Sequence, residues 1–373
     1  MKAPSSKPKT PACVEIRDVR ASNPGDPSPG PARAQWFARL FPEGIPTLWC
    51  PPITHYDSHG AIDAARMSAH WTFMSPWVKG LLVPGSTGDG WELSEEESQH
   101  LLRLAADRAH ELKLHLLVGA LRPLASDARR TIDRTLSLLK SRSGTEDTAV
   151  GLQRTRVCGF AICPPRGQSL TQADLETALS SILGSGLPIA LYQLPQVTQN
   201  EMSAELVASL ARGFSNFILF KDTSGADRVA ASGLDFHGTF LVRGAEGQYA
   251  SALKNGGGPY DGFLLSTANS FCQQLREISD ALSGGHSADA QSQSQRLTSL
   301  VEQMFRLVAI VQDGNPFANS GKAVDHFFAY GPHAVKVTPP RLHSGRSLPL
   351  EVIRETELIL RRHDLMPTGG YLE

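Results

Sequence analysis

Apolar and polar positions alternate along the chain in a regular way from about residue 45 onward. Short, continuously apolar runs are each followed by a polar turn and then by a stretch with helical spacing. Eight runs read as strands, because they are short and bounded by turn residues: 45–50, 80–85, 114–119, 157–163, 188–194, 217–222, 239–244 and 260–266.

Helical patterns lie between these strands. In the segment 93–112, Ser94 stands three residues before Glu97, which is the signature of a capping box. Thr171 caps the next clear pattern, at 171–183, and a long helical pattern covers 286–311. Continuously apolar strands that alternate with helices indicate a parallel sheet covered on both faces. Eight such units predict an α/β fold, a (β/α)8 TIM barrel with a C-terminal helical extension. A doubly wound sheet is the alternative, but the first strand lacks the phosphate-binding fingerprint of that fold.

Three regions follow from the same pattern. Residues 1–40 read as a disordered or loosely packed tail, because the first 31 residues hold seven prolines among many Ser, Lys and Asp. The barrel is expected over 41–268, and helices over 269–373. A polar insertion at 141–156 reads as a surface loop.

Composition excludes several classes of function. The net charge is −1, so no global field favours nucleic acid or an acidic membrane. No apolar run is long enough to span a bilayer, and the N-terminus lacks the apolar segment of a secretory signal. Five scattered cysteines without a CxxC pair argue against a disulfide framework or a zinc ribbon, and favour a cytoplasmic setting. His55 and His59 lack a third ligand, so no metal is expected.

Candidate chemistry stands at the carboxyl ends of the predicted strands, where barrel enzymes carry their active sites. Lys221 ends the apolar run FILF, where loss of hydration lowers the pKa of an amine. Such a lysine can attack a carbonyl as a neutral amine, and Tyr192 at the end of another strand can move protons. The turn from Gly85 to Gly88 offers backbone N–H groups and the hydroxyls of Ser86 and Thr87 to a carboxylate. Together they predict a class I aldolase or lyase that binds a 2-oxo acid.

Three further strand ends supply candidate substrate-binding residues. Strand 4 ends in CPPRG with Arg166, strand 7 leads into RGAEG with Glu246, and strand 8 ends in Ser266.

Several motifs, in order, resemble the dihydrodipicolinate synthase and N-acetylneuraminate lyase superfamily. GLLVPGSTGDGWELSEEE (80–97) resembles its GTTGE…LS…E signature, YQLP (192–195) its YNxP, and FKDTSG (220–225) its lysine motif KDxSG. THYDSHGAID (54–63), GAEGQYASALKNGG (244–257) and DGFLLSTAN (261–269) are similar to its opening, strand 7 and strand 8 segments. NP (315–316) and RSLPL (346–350) resemble its C-terminal helices, so the likeness covers about 45 to 360.

The resemblance implies a role for each matched residue. Lys221 would form the Schiff base, Tyr192 would be the acid and base, and Ser86 and Thr87 would hold the substrate carboxylate, with Ser86 relaying protons. It also implies that no cofactor is needed, that the partners are a small 2-oxo acid and an aldehyde, and that the chain forms a homodimer or homotetramer.

Departures from the family pattern bear on the reaction. Val197 replaces the arginine that follows the tyrosine motif in true synthases, Pro165 and Arg166 replace two strand 4 tyrosines, and Asp89 replaces the usual Glu. These changes argue against the lysine-biosynthetic reaction, and Arg166 becomes a candidate clamp on a substrate carboxylate or hydroxyl.

The favoured function is therefore a Schiff-base lyase or aldolase acting on pyruvate or another 2-oxo acid. A dehydratase or hydratase-aldolase of the same family is an alternative. So is a family member that only binds a small ligand without catalysis.

Overall fold

Eight parallel strands close into a barrel in the computed structural model, which describes residues 30–373. The strands follow one another around the barrel in chain order: β1 Leu48–Cys50, β2 Gly80–Val83, β3 His115–Gly119, β4 Val157–Ile162, β5 Ile189–Gln193, β6 Phe217–Asp222, β7 Phe240–Arg243 and β8 Gly262–Leu264. Pairing of β1 with β8 closes the ring, so the fold is the predicted barrel and not the doubly wound sheet. All eight predicted strands are confirmed.

Helices cover the outside of the barrel and continue after β8. The structure has α1 Gly30–Leu40, α2 Ala64–Met74, α3 Glu95–Glu111, α4 Ala125–Ser143, α5 Thr148–Arg154, α6 Gln172–Leu183, α7 Pro195–Thr198, α8 Ala204–Gly213, α9 Tyr249–Ala252, α10 Cys272–Ser283, α11 Ser287–Val308, α12 Pro316–Tyr330 and α13 Leu350–Arg362. Ser94 and Glu97 form the predicted capping box at the start of α3. Over residues 30–373, no helix combines the length and apolarity needed to cross a membrane.

Strand pleating sorts apolar side chains into two cores. In β2, Leu82 packs inside the barrel with Trp49 and Leu117, whereas Leu81 and Val83 face the surrounding helices. Because successive side chains of a strand point to opposite faces, both faces are apolar and the strand reads as a continuous apolar run.

Part of the expected tail is ordered, which corrects the prediction for residues 30–40. Residues 1–29 lie outside the described part of the chain, but α1 runs across the N-terminal end of the barrel, and its Arg33 is buried. The Arg33 guanidinium donates to the carbonyl oxygens of Phe217 at 2.9 Å and Phe214 at 2.8 Å, and also to that of His237. The composition of the proline-rich stretch as a whole does not indicate this helix. Tertiary hydrogen bonds from Arg33 stabilise the helix, and its intrinsic helix propensity does not.

The insertion at 141–156 is helical, so its prediction as a loop was wrong. Gly144 ends α4 in the left-handed conformation, with φ of 65°. Asp147 then begins α5, because its carboxylate accepts hydrogen bonds from the backbone N–H groups of Ala149 and Val150. Two local signals, a C-terminal glycine and an N-cap aspartate, were present in the polar run and mark this second helix.

The C-terminal helices do not form a separate appendage at the mouth of the barrel, because α12 packs directly on it. Asn315 caps α12 and donates to the backbone oxygen of Ser86 at 3.1 Å. Two turns further, the Lys322 ammonium lies 2.9 Å from an Asp89 oxygen, and the Tyr56 hydroxyl donates to the same oxygen at 2.9 Å. The Lys322 and Asp89 side chains are 1% and 3% exposed, so the pair is fully buried.

Replacement of Lys322 by Met tests this attachment. The change leaves the Asp89 carboxylate buried without its cation, which costs roughly 3–5 kcal/mol in free energy of unfolding. The double variant Asp89→Asn, Lys322→Met removes both charges and should lose clearly less than the sum of the two single variants. Urea unfolding midpoints measure both, with Lys254→Met in the exposed Lys254–Asp261 pair as the control. Additive losses would show that the buried pair is not coupled.

Candidate active site

Lys221 points into the barrel because of its place in β6. Leu219, two residues earlier, belongs to the interior cluster, and Lys221 shares its face by the period of the strand. Asp222 therefore faces the other way, where its carboxylate accepts hydrogen bonds from Ser224 N–H at 2.9 Å and the Tyr260 hydroxyl at 3.3 Å. Asp222 does not pair with its neighbour, and Lys221 is 4% exposed.

Burial changes the acid–base behaviour of Lys221. Desolvation lowers the pKa of its amine to about 7, against smaller opposing effects of Cys163, Glu246 and Cys50. In the part of the chain that the structure describes, no carboxylate lies within 4 Å of the amine. The lowered pKa therefore favours the neutral, nucleophilic form of Lys221 near neutral pH.

Tyr192 is the cross-strand neighbour of Lys221 in the β5–β6 register. The Lys221 nitrogen lies 3.8 Å from the centroid of the Tyr192 ring. Tyr192 is 2% exposed, and burial raises the pKa of its hydroxyl above the ordinary value. The phenol is thus protonated at neutral pH. It must first donate its proton, and only then can it accept one.

The turn after β2 forms a short 3₁₀ helix, Ser86–Gly88, beside the lysine. It packs tightly against the loop after β1: a methyl group at Gly88 would lie 2.3 Å from the Pro52 carbonyl oxygen. Asp89 ends the turn with φ of 60°, and its contact with Lys322 holds it there. The turn is therefore fixed both by the β1 loop and by α12.

One cavity of about 220 Å³ brings the central candidates together. Five predicted or matched site residues line it: Ser86, Thr87, Tyr192, Lys221 and Ser266. Gly85 stands at the start of the turn but is not in the lining. Across residues 30–373, no protein group hydrogen-bonds the Ser86 or Thr87 hydroxyl, so both are available to a ligand.

Three lining residues were missed from the sequence: Thr223, Gly244 and Phe317. Gly244 keeps space free for the lysine, since a methyl group there would lie 2.7 Å from the Lys221 Cε. Gly244 is part of the RGAEG segment in the sequence, but only the structure shows that it lies next to the Lys221 side chain. Phe317 enters from α12, and no local pattern predicts that this helix reaches the barrel mouth.

Glu246 is half-buried and serves the loop after β8. Its carboxylate accepts hydrogen bonds from the Ser266 hydroxyl at 2.5 Å, the Thr267 hydroxyl at 2.6 Å, Thr267 N–H at 3.0 Å and the Tyr249 hydroxyl at 3.0 Å. With four donors already bound, it positions Ser266 at the cavity and has little capacity left for a substrate.

Arg166 lies outside the cavity. Its side chain is exposed, and its backbone N–H donates to Pro123. Within one chain, the structure does not bring Arg166 to Lys221.

His55 pairs with His70 and not with His59. The two rings share a 3.1 Å hydrogen bond and lie beside Asp325, a buried donor set that could in principle hold a metal ion. The ring of His70, however, already has a partner at each nitrogen: His55 at Nδ1, and the Asn269 carbonyl at 2.8 Å from Nε2. Asp325 accepts from Arg66 at 3.0 Å and from the Tyr371 hydroxyl at 3.0 and 3.1 Å. The cluster fits a hydrogen-bonded network that fastens the C-terminus to α2 and α12.

Comparison with known proteins finds similar sequences in one enzyme family. Residues 151–312 match the model of the dihydrodipicolinate synthetase family. A 4-hydroxy-tetrahydrodipicolinate synthase of Agrobacterium fabrum is 25% identical over 270 residues, which are 71% of this chain and 83% of the relative.

Solved structures show the same fold. YagE of E. coli K12, a prophage protein of the dihydrodipicolinic acid synthase family in complex with pyruvate, superposes with a TM-score of 0.65 at 21% identity. The match covers 86% of this chain and 99% of YagE. A Sulfolobus 2-keto-3-deoxygluconate aldolase gives a TM-score of 0.62 at 17% identity, covering 85% of this chain and 96% of that one. The chain is therefore similar to the dihydrodipicolinate synthetase family in sequence over residues 151–312 and shares the barrel fold of these structures over most of its length.

Proposed function

We propose that Lys221 forms a Schiff base with pyruvate or another 2-oxo acid, and that the enzyme makes or breaks a C–C bond next to it. The observation that carries the proposal is a buried lysine, without a carboxylate partner among the described residues, whose pKa is lowered to about 7. Structural lysines are paired or reach the surface, whereas a nucleophilic lysine must be neutral.

The position of the substrate follows from the cavity. The free hydroxyls of Ser86 and Thr87 hold the carboxylate, which leaves C2 of the oxo acid near the amine. Gly244 leaves room for the adduct on Lys221. Ser266, positioned by Glu246, supplies a further hydroxyl to the substrate.

The chemistry then needs only protein groups. The lone pair of the Lys221 nitrogen attacks C2, and the carbonyl oxygen takes a proton to give a carbinolamine. Loss of water forms an iminium. When a base takes the proton of a C4 hydroxyl, the C3–C4 bond breaks, its electrons move into the iminium to give an enamine, and C4 leaves as an aldehyde. Protonation of the enamine at C3 and addition of water release pyruvate and the free amine. Tyr192, with Ser86 as relay, moves these protons.

The relatives support this class of reaction without defining the substrate. YagE is described with pyruvate bound, and the Sulfolobus enzyme is a 2-keto-3-deoxygluconate aldolase. Val197, in place of the synthase arginine, packs against the barrel interior, and Phe317 adds an apolar surface to the cavity. We therefore propose an aldehyde partner different from that of the lysine-biosynthetic reaction. A cytoplasmic homodimer or homotetramer stays a prediction.

Borohydride reduction in the presence of pyruvate tests the Schiff base. We expect the mass of the intact chain to rise by one reduced pyruvate unit, and peptide mapping to place the adduct on Lys221. Lys221→Met is expected to abolish the adduct, whereas Lys254→Met, at an exposed lysine outside the cavity, should retain it. Absence of an adduct with pyruvate and with a panel of other 2-oxo acids would favour the non-catalytic binder.

Tyr192→Phe tests the proton transfer separately. The phenylalanine ring preserves the packing over Lys221, so the pyruvate adduct should still form, but more slowly. Loss of general acid and base catalysis should reduce kcat/KM of the aldol reaction by about 10²–10⁴-fold. Stopped-flow detection of released pyruvate measures this. An unchanged rate would assign the proton transfers to another group.

A further inference from the structure

A second cavity of about 530 Å³ lies at the opposite end of the barrel from Lys221. It opens beside His115 and Val157, the first residues of β3 and β4, whereas Lys221 stands near the end of β6. We call it the basal pocket. It is thus separate from the site of the proposed reaction, and the inference below does not rest on that reaction.

The basal pocket is built by two elements that the reaction does not use. The C-terminal end of α1 and the residues after it supply Arg39, Leu40 and Glu43. The inserted helix α5 and the residues after it supply Leu152 and Arg156. Both unexplained segments of the sequence, the N-terminal extension and the insertion, therefore converge on one cavity.

Apolar groups form one part of the lining. Leu40, Leu152 and Val157 are buried, at 8%, 1% and 1% exposure. They offer a surface to a small hydrocarbon or aromatic body. A ligand pocket typically combines such a surface with a few polar groups that fix orientation.

The polar groups are mainly cationic. Arg156 donates through Nε to the Leu114 carbonyl at 2.7 Å, and this hydrogen bond fixes the side chain. Its two terminal NH₂ groups have no hydrogen-bond partner among the described residues. Among the side chains described, from residue 33 onward, no carboxylate lies within 4 Å of Arg39 or Arg156. Glu43 contributes one negative charge. Desolvation, and the charge of Arg156, lower the pKa of His115 to about 4, so its ring is neutral at pH 7. The four groups sum to one positive charge.

We propose that the basal pocket binds a small organic monoanion, with its carboxylate or other singly charged group on Arg39 and Arg156 and its apolar body against Leu40 and Leu152. A guanidinium pair suits an anion with two oxygens in one plane. One net positive charge matches a monoanion better than a dianion. A bound ligand would connect α1 to α5 and the barrel.

Titration of the full chain with 4-fluorobenzoate, followed by ¹⁹F NMR, tests the proposal. The neutral 4-fluorobenzamide is the matched probe, since it has the same ring without the charge. We expect saturable binding of the benzoate and clearly weaker binding of the amide. Arg39→Met should weaken benzoate binding about tenfold or more, because a charge-assisted hydrogen bond is lost. Arg156→Met should act in the same direction.

Two variants make the test independent of folding defects. Glu43→Gln removes a negative charge that repels the negative probe, so benzoate binding should tighten about two- to fivefold. Arg129→Met, which removes an exposed side chain of α4 that pairs with Asp133, should leave benzoate binding unchanged. Equal affinity for the two probes would overturn the proposal, as would affinity unchanged by Arg39→Met and Arg156→Met. Loss of benzoate binding in the double variant Ser86→Ala, Thr87→Val would also overturn the proposal, because it would show that the probe binds in the Lys221 cavity.

Discussion

Removal of water from the Lys221 amine is the constraint on which the site depends. Among the side chains described, from residue 33 onward, two lysines are buried, and they differ in the groups that surround them. Desolvation lowers the pKa of the Lys322 amine, but the Asp89 carboxylate, 2.9 Å away, opposes that shift and makes the lysine an attachment point. Lys221 faces the Tyr192 ring, two free hydroxyls and a cavity, so desolvation favours its neutral form. Similar burial thus gives one lysine a structural role and suits the other to the chemical role that we propose for it.

The two lysines are nevertheless linked through the Ser86–Gly88 turn. Lys322 holds Asp89, the residue that ends this turn, and Asn315 on the same helix binds the Ser86 carbonyl. The hydroxyls that we propose to bind the substrate carboxylate are therefore positioned by a helix that comes more than 200 residues later in the sequence. Phe317, from the first turn of that helix, completes the cavity. The C-terminal helices are in this sense part of the site.

Much of this arrangement could be predicted from the sequence because it depends on local periodicity. Continuously apolar strands give the barrel, but because both faces of FILFKD are apolar, only the structure shows that Lys221 points inward. Contacts between residues far apart in the sequence could not be predicted. Nothing near Pro316 indicates that α12 covers the barrel mouth, and nothing near Arg33 indicates that its guanidinium reaches the carbonyls of Phe214 and Phe217. Arg166 was chosen as a candidate from its strand position, but its loop carries it to the surface.

The ionisation of Lys221 is the property that most directly tests this account. Incorporation of ¹³C-labelled lysine, with the Lys221 Cε resonance assigned through Lys221→Arg, allows its titration in the free enzyme. Because burial lowers the pKa, the proton should leave as pH rises through about 7, and the amine should be neutral above that value. A midpoint near 7 would support a nucleophilic lysine created by desolvation. A midpoint near the ordinary value of about 10.4 would contradict it, since the lysine would then be a hydrated or paired ammonium at working pH.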